Sequence, residues 1–126
     1  MVGAGGGATL GRLTTTPSTG VAEALRAFRR ALEGRCGPRL REVRLFGSHA
    51  RGDAHQDSDV DLLVVVDDLS ETERRELLDL ACRVEQQDPE GMVVLSPLAY
   101  STERVAVLRA RERLLFRDIE REGIVL

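Results

Sequence analysis

A run near the middle of the chain, Val60-Asp61-Leu62-Leu63-Val64-Val65-Val66, is apolar save for one aspartate. β-Branched residues and leucine without polar alternation fit a strand buried on both faces. Such a strand needs apolar cover above and below. The economical solution is one central sheet with helices packed against it, an α/β (α+β) architecture. The 126 residues are 42% hydrophobic and 31% charged, enough for one globular domain with a real core.

The flanking patterns supply the cover. Val21, Leu25, Phe28 and Leu32 recur at helical spacing from about Thr19, and Gly34 and Gly37 are expected to stop that helix. Glu42 to Phe46 alternates and predicts a short strand, followed by a polar turn, Gly47 to Ser58. Ser70 and Glu73 form a capping-box signature before a helix whose stripe is Leu77, Leu80, Ala81 and Val84. A third strand is expected at Met92 to Leu95, ended by Ser96-Pro97. One last helix should run from about Ser101 to Glu122, with Val105, Leu108, Leu115 and Ile119 inward. The expected order is α-β-turn-β-α-β-α over residues 19–126. Residues 1–18, rich in Gly, Thr, Ala and Ser, are expected to form a flexible tail. Gly3, Gly5 and Ala8 match a dinucleotide-loop spacing, but no strand precedes them, so the match fails its structural context.

Composition removes several functions. The formal charge is -3, with 18 basic against 21 acidic groups, so no global field draws the chain to nucleic acid or anionic lipid. Every basic residue is arginine. Lysine Schiff bases, lysine nucleophiles and the lysine-bearing phosphate loop are therefore excluded. Asparagine is absent too, which excludes N-glycosylation. Cys36 and Cys82 are too few and too far apart for a disulfide scaffold or zinc spacing, and His49 and His55 complete no metal pattern. No signal peptide is expected at Met1 to Gly7. The longest apolar run falls far short of the roughly 20 residues of a membrane span. Both thiols are read as reduced and the chain as cytoplasmic, with no membrane partner.

The chemistry is concentrated in Leu45-Phe46-Gly47-Ser48-His49-Ala50-Arg51-Gly52 and Asp57-Ser58-Asp59-Val60-Asp61-Leu62. A glycine directly after a strand lets the backbone approach an anion. The amides that open the following turn, with the Ser48 hydroxyl, can hold phosphate oxygens. Asp59 and Asp61 occupy alternate positions at the mouth of a strand, so their carboxylates share one face. Paired like charges are costly unless a cation sits between them, and Mg²⁺ accepts a few carboxylate oxygens plus water and phosphate. Together these features imply a nucleoside triphosphate held through its phosphates.

The string GSHARG…SDVDLLV resembles the minimal nucleotidyltransferases of the DNA polymerase β-like superfamily, over roughly residues 20–125. The resemblance implies a small mixed sheet flanked by helices, two Mg²⁺ ions, and transfer of a nucleoside monophosphate, AMP from ATP or the equivalent from another NTP, to a hydroxyl. It implies phosphate binding by Gly47 and Ser48 and metal binding by the catalytic pair Asp59 and Asp61. Many such proteins resemble the antitoxin half of a toxin–antitoxin pair whose partner is a helical HEPN ribonuclease. Some transfer AMP to a tyrosine of that toxin. The superfamily's third carboxylate, on the neighbouring strand, has no counterpart in Met92-Val93-Val94-Leu95-Ser96. Asp67, Asp68, Asp88 and Glu90 are the nearby acids. A module that binds nucleotide or a protein partner without turnover is the alternative.

The remaining polar residues have plainer readings. Arg51 touches a phosphate or a partner, or pairs with Asp53 or Asp57. Ser58 is a turn residue, His49 and His55 are exposed loop residues, and Glu71, Glu73 and Glu76 form a solvated face. Arg104, Arg109, Arg111 and Arg113 form a wet helix face or meet an acidic or RNA-bound partner.

Overall fold

The computed structural model describes residues 19–55 and 58–126. The expected tail and its glycine spacing lie outside them. Helix α1 spans Thr19–Cys36, strand β1 Leu40–Phe46, the one-turn helix α2 Ser48–Arg51 and strand β2 Val60–Val66. Then follow α3 (Glu71–Gln86), β3 (Leu95–Ser101), α4 (Thr102–Arg111), α5 (Arg113–Glu122) and β4 (Ile124–Val125). The sheet order is β3-β2-β1-β4, with β2 parallel to β3 and β1 antiparallel to both β2 and β4. It is the mixed sheet the family resemblance implied.

β2 is covered on both sides, as its composition requires. Val60, Leu62, Val64 and Val66 enter the larger core with Leu25, Phe28 and Leu32 of α1 and Leu77, Ala81 and Val84 of α3. Leu63 and Val65 face the other way, under Val105 of α4 and Phe116 and Ile119 of α5. By the same alternation Asp61 belongs to this second face.

Local signals set the element ends. The Ser70 hydroxyl accepts from the Glu73 amide at 3.1 Å and the Glu73 carboxylate accepts from the Ser70 amide at 3.4 Å, completing the capping box. Arg39 donates to both carboxylate oxygens of Glu73, at 3.2 and 2.5 Å, tying the entry of β1 to the first turn of α3. Gly34 lies inside α1; the helix ends before Gly37, whose φ of 59° an L-residue disfavours.

Three expectations are corrected. β3 begins where the third strand was expected to end, and Pro97 lies inside it. The Val60 amide bonds to the Val94 carbonyl, while the Leu95 amide turns away from β2 to the Glu85 carboxylate at 2.6 Å. Alternation therefore aims position 97 off the sheet, where a missing amide costs the ladder nothing. The single last helix is two, broken at Glu112 (φ −111°, ψ 56°). The break shifts the helical phase, so Phe116 is buried and Leu115 is 46% exposed. β4 had no counterpart in the expected order.

Candidate functional site

β1 and β2 deliver their polar ends to one place. Phe46 pairs with Asp61 across the antiparallel ladder, so Gly47, the next residue, falls beside the Asp61 carboxylate. Gly47 has φ 76° and ψ −154°, a conformation open essentially to glycine alone. A Cβ there would overlap the Asp61 carboxylate oxygen and lie 3.3 Å from its Cγ. Glycine is thus required twice, by the backbone angle and by the close approach.

α2 starts at once. The Gly47 carbonyl accepts from the Ala50 and Arg51 amides at 3.1 and 3.0 Å, closing the turn. The amides of Ser48 and His49 precede any helical acceptor and stand at the open end of the turn. The His49 ring lies 3.2 Å from the Ser58 carbonyl, and the Ser58 hydroxyl accepts from the His55 amide at 3.1 Å. Ser58 is therefore a turn residue, as expected. His49 is not a loop residue: it sits in α2, half-buried, and pins that turn to the segment leading into β2.

Asp59 is exposed and Asp61 half-buried. Burial raises the Asp61 carboxyl above the ordinary aspartate range, and the negative charge of Asp59 adds to it. His49 and Arg51 act the other way. A half-buried carboxylate beside a second one, against a glycine backbone, suits a divalent cation, which would remove the repulsion that the neighbouring arginine only offsets. Asp59 and Asp61 are the residues that could hold it.

Arg51 pairs with Asp53 at 3.2 Å and with Glu122, at the end of α5, at 3.7 Å. Asp57, the other partner considered for it, lies outside the described residues. Glu122 was missed by the sequence reasoning; nothing local in the sequence links it to position 51.

Among the described residues no third acid joins the pair, and none contains a cluster of three metal-ligating side chains. The strand beside Asp61 places Ser96 opposite it. Asp67 sits at the far end of β2, held by Arg41 at 2.6 Å and by the Thr102 hydroxyl at 2.5 Å, with Asp68 next to it. Asp88 accepts from the Met92 and Val93 amides at 2.7 and 3.1 Å, and Glu90 is exposed in the same turn.

A strand end carrying Gly-Ser, packed on a strand that opens with Asp-x-Asp, defines a class, and the comparison with protein families agrees. The nucleotidyltransferase domain model matches residues 25–114. The chain belongs to that family. Two proteins of Methanocaldococcus jannaschii, the proposed protein adenylyltransferases MJ0604 and MJ0141, are similar in sequence. The first is 42% identical over 45 residues, 36% of this chain and 45% of the relative, so the match spans less than half of that protein. The second is 30% identical over 81 residues, 64% of this chain and 79% of the relative. Two solved structures also resemble the chain in part. A toxin–antitoxin crystallised with AMP-PNP is 25% identical with a TM-score of 0.49, covering 78% of this chain and 68% of that one. A proposed nucleotidyltransferase from Sulfolobus solfataricus is 20% identical with a TM-score of 0.41, covering 89% of each chain. Among the described residues no helix is long and apolar enough to cross a membrane.

Proposed function

We propose that this nucleotidyltransferase transfers AMP from ATP, with Mg²⁺, to a hydroxyl of a protein partner, and that the partner is a HEPN-type toxin it counteracts. One observation carries the reading: Gly47 abuts the Asp61 carboxylate, so a phosphate-sized anion at Ser48 and a cation at Asp59 and Asp61 would be neighbours. The name protein adenylyltransferase borne by both relatives supports the nucleotide and the acceptor class.

In this scheme Gly47 allows the triphosphate close to the backbone, and the Ser48 amide and hydroxyl donate to its phosphate oxygens. Arg51, at the end of the same turn, supplies a guanidinium for the phosphates in exchange for Asp53. Asp59 and Asp61 hold Mg²⁺, which when bound neutralises charge on the leaving pyrophosphate and lowers the cost of deprotonating the acceptor. The acceptor oxygen forms a bond to the α-phosphorus, the α–β bridge breaks, pyrophosphate leaves and the hydroxyl proton passes to solvent. Residues 19–126 form the working unit, placed in the cytoplasm.

Calorimetric titration with Mg²⁺ and a non-hydrolysable ATP analogue tests this on wild type and on an Asp59→Ala/Asp61→Ala variant. Metal-dependent binding in the wild type and its loss in the variant is expected. No binding by folded wild type refutes the site. A second reading, binding without turnover, is favoured by Ser96 standing beside Asp61 where an acid would act as base. Binding without pyrophosphate release in the presence of the partner selects it. A missing base lowers rates by about 10²–10⁴.

A further inference from the structure

The two flanks of Asp61 in the sheet are unlike. On one lies β1, with Gly47 and the Ser48 turn against the carboxylate. On the other lies β3, where Ser96 is opposite Asp61 and the Val94 carbonyl accepts from the Val60 amide at 2.8 Å. Strand alternation sends Val93 and Leu95 into the larger core with Val60 and Leu62. It turns Met92 and Val94 to the face of Asp59, Asp61 and Ser96. Both are uncovered there, Met92 50% and Val94 49% exposed. Their backbone is nonetheless fixed: Asp88 accepts from the Met92 and Val93 amides, and Glu85 from the Leu95 amide. An apolar step is thus held in place, in water, beside the paired aspartates.

We propose that Met92 and Val94 are specificity-determining residues of the transfer reaction, a platform for the apolar body of the side chain that brings the acceptor hydroxyl. The inference rests on the proposed function and adds where the acceptor lies. Attacking and leaving oxygens stand in line on opposite sides of the α-phosphorus. With the phosphates gripped at Ser48, pyrophosphate departs on the β1 flank, so the acceptor enters over β3. The nucleoside is attached through an equatorial oxygen and projects off that axis, so the acceptor and not the base meets Val94. A short polar alcohol leaves Met92 and Val94 wet, whereas an apolar body removes both from water. A second copy of this chain needs far more surface, because stable interfaces bury about 1,200–2,000 Å².

The chain has two methionines, so methyl-¹³C-methionine labelling gives two signals, and Met92→Leu assigns the one from position 92. N-acetyltyrosinamide and N-acetylserinamide are each titrated into the full chain with Mg²⁺ and a non-hydrolysable ATP analogue. The tyrosinamide is expected to move the Met92 methyl saturably, with an affinity about tenfold or more above that of the serinamide. Val94→Thr should weaken it about fourfold, the worth of one buried methyl, while Val94→Ile, which keeps the apolar surface, should preserve it. Equal affinity for the two amides, absence of a saturable shift, or indifference to Val94→Thr overturns the proposal. Displacement of the amide by the ATP analogue also overturns it, by putting the nucleoside on this step. Failure of the analogue itself to bind refutes the proposed function; its binding without discrimination between the amides refutes the platform alone.

Discussion

Replacing Gly47 with alanine perturbs the backbone and a carboxylate together. At φ 76° and ψ −154° a side chain costs about 1–3 kcal/mol in strain. In a chain of this size that lowers the melting temperature by about 4–11 °C. The new methyl would also occupy the space of the Asp61 carboxylate oxygen. Because that carboxylate lies on a strand fixed in the core on both sides, the side chain must rotate away. Such misplacement costs about 10–100-fold in metal affinity. Gly91→Ala is the control: its φ is 64°, and a Cβ there meets nothing within 4 Å. It should pay about 1–2 kcal/mol of backbone strain alone. Chemical denaturation should show both variants destabilised, and titration with Mg²⁺ and the ATP analogue should show only Gly47→Ala losing affinity. Wild-type affinity in a folded Gly47→Ala protein would refute the coupling of loop and carboxylate.

Ser70→Ala removes the hydroxyl of the capping box and should cost about 0.5–2 kcal/mol in urea unfolding; an unchanged midpoint contradicts the cap. Glu73 is held down to about 2, chiefly by its hydrogen bonds from Arg39. Its folded value lies below its unfolded one, so its stabilisation is present above about pH 4.5 and fades as pH falls toward 2. Glu73→Gln should flatten the decline of melting temperature across that window, and an identical profile in both proteins counts against the pairing. Phe28→Ala, at a ring only 1% exposed, should lose about 3–5 kcal/mol, and a loss below about 1 kcal/mol would place the core elsewhere.

Where a signal was local, the sequence could be read directly. The Ser70–Glu73 box and the apolar run of β2 each lie within a few residues, and both elements fall where expected. Gly47 and Asp61 were legible as neighbours because a strand, a turn and a strand must bring them back together. Pro97 was misread because its meaning depends on which side of β3 meets another strand, a tertiary fact. The break at Glu112 carries neither glycine nor proline, so nothing announced the change of phase that put Phe116 inside and Leu115 outside. β4 covers only Ile124–Val125, shorter than any periodicity. The Arg51–Glu122 pair joins residues far apart in the sequence, beyond any local pattern in the chain.

Pro97 also has a bearing on behaviour at high concentration. An uncovered strand margin invites an incoming strand to extend the sheet, the first step toward fibrous aggregates. On the free side of β3 the Leu95 amide is already engaged by Glu85, and position 97 offers no donor. An approaching chain would find its ladder interrupted at consecutive rungs. The same proline that hid the strand from sequence reading thus guards the sheet against growth in that direction, together with Glu85 of α3.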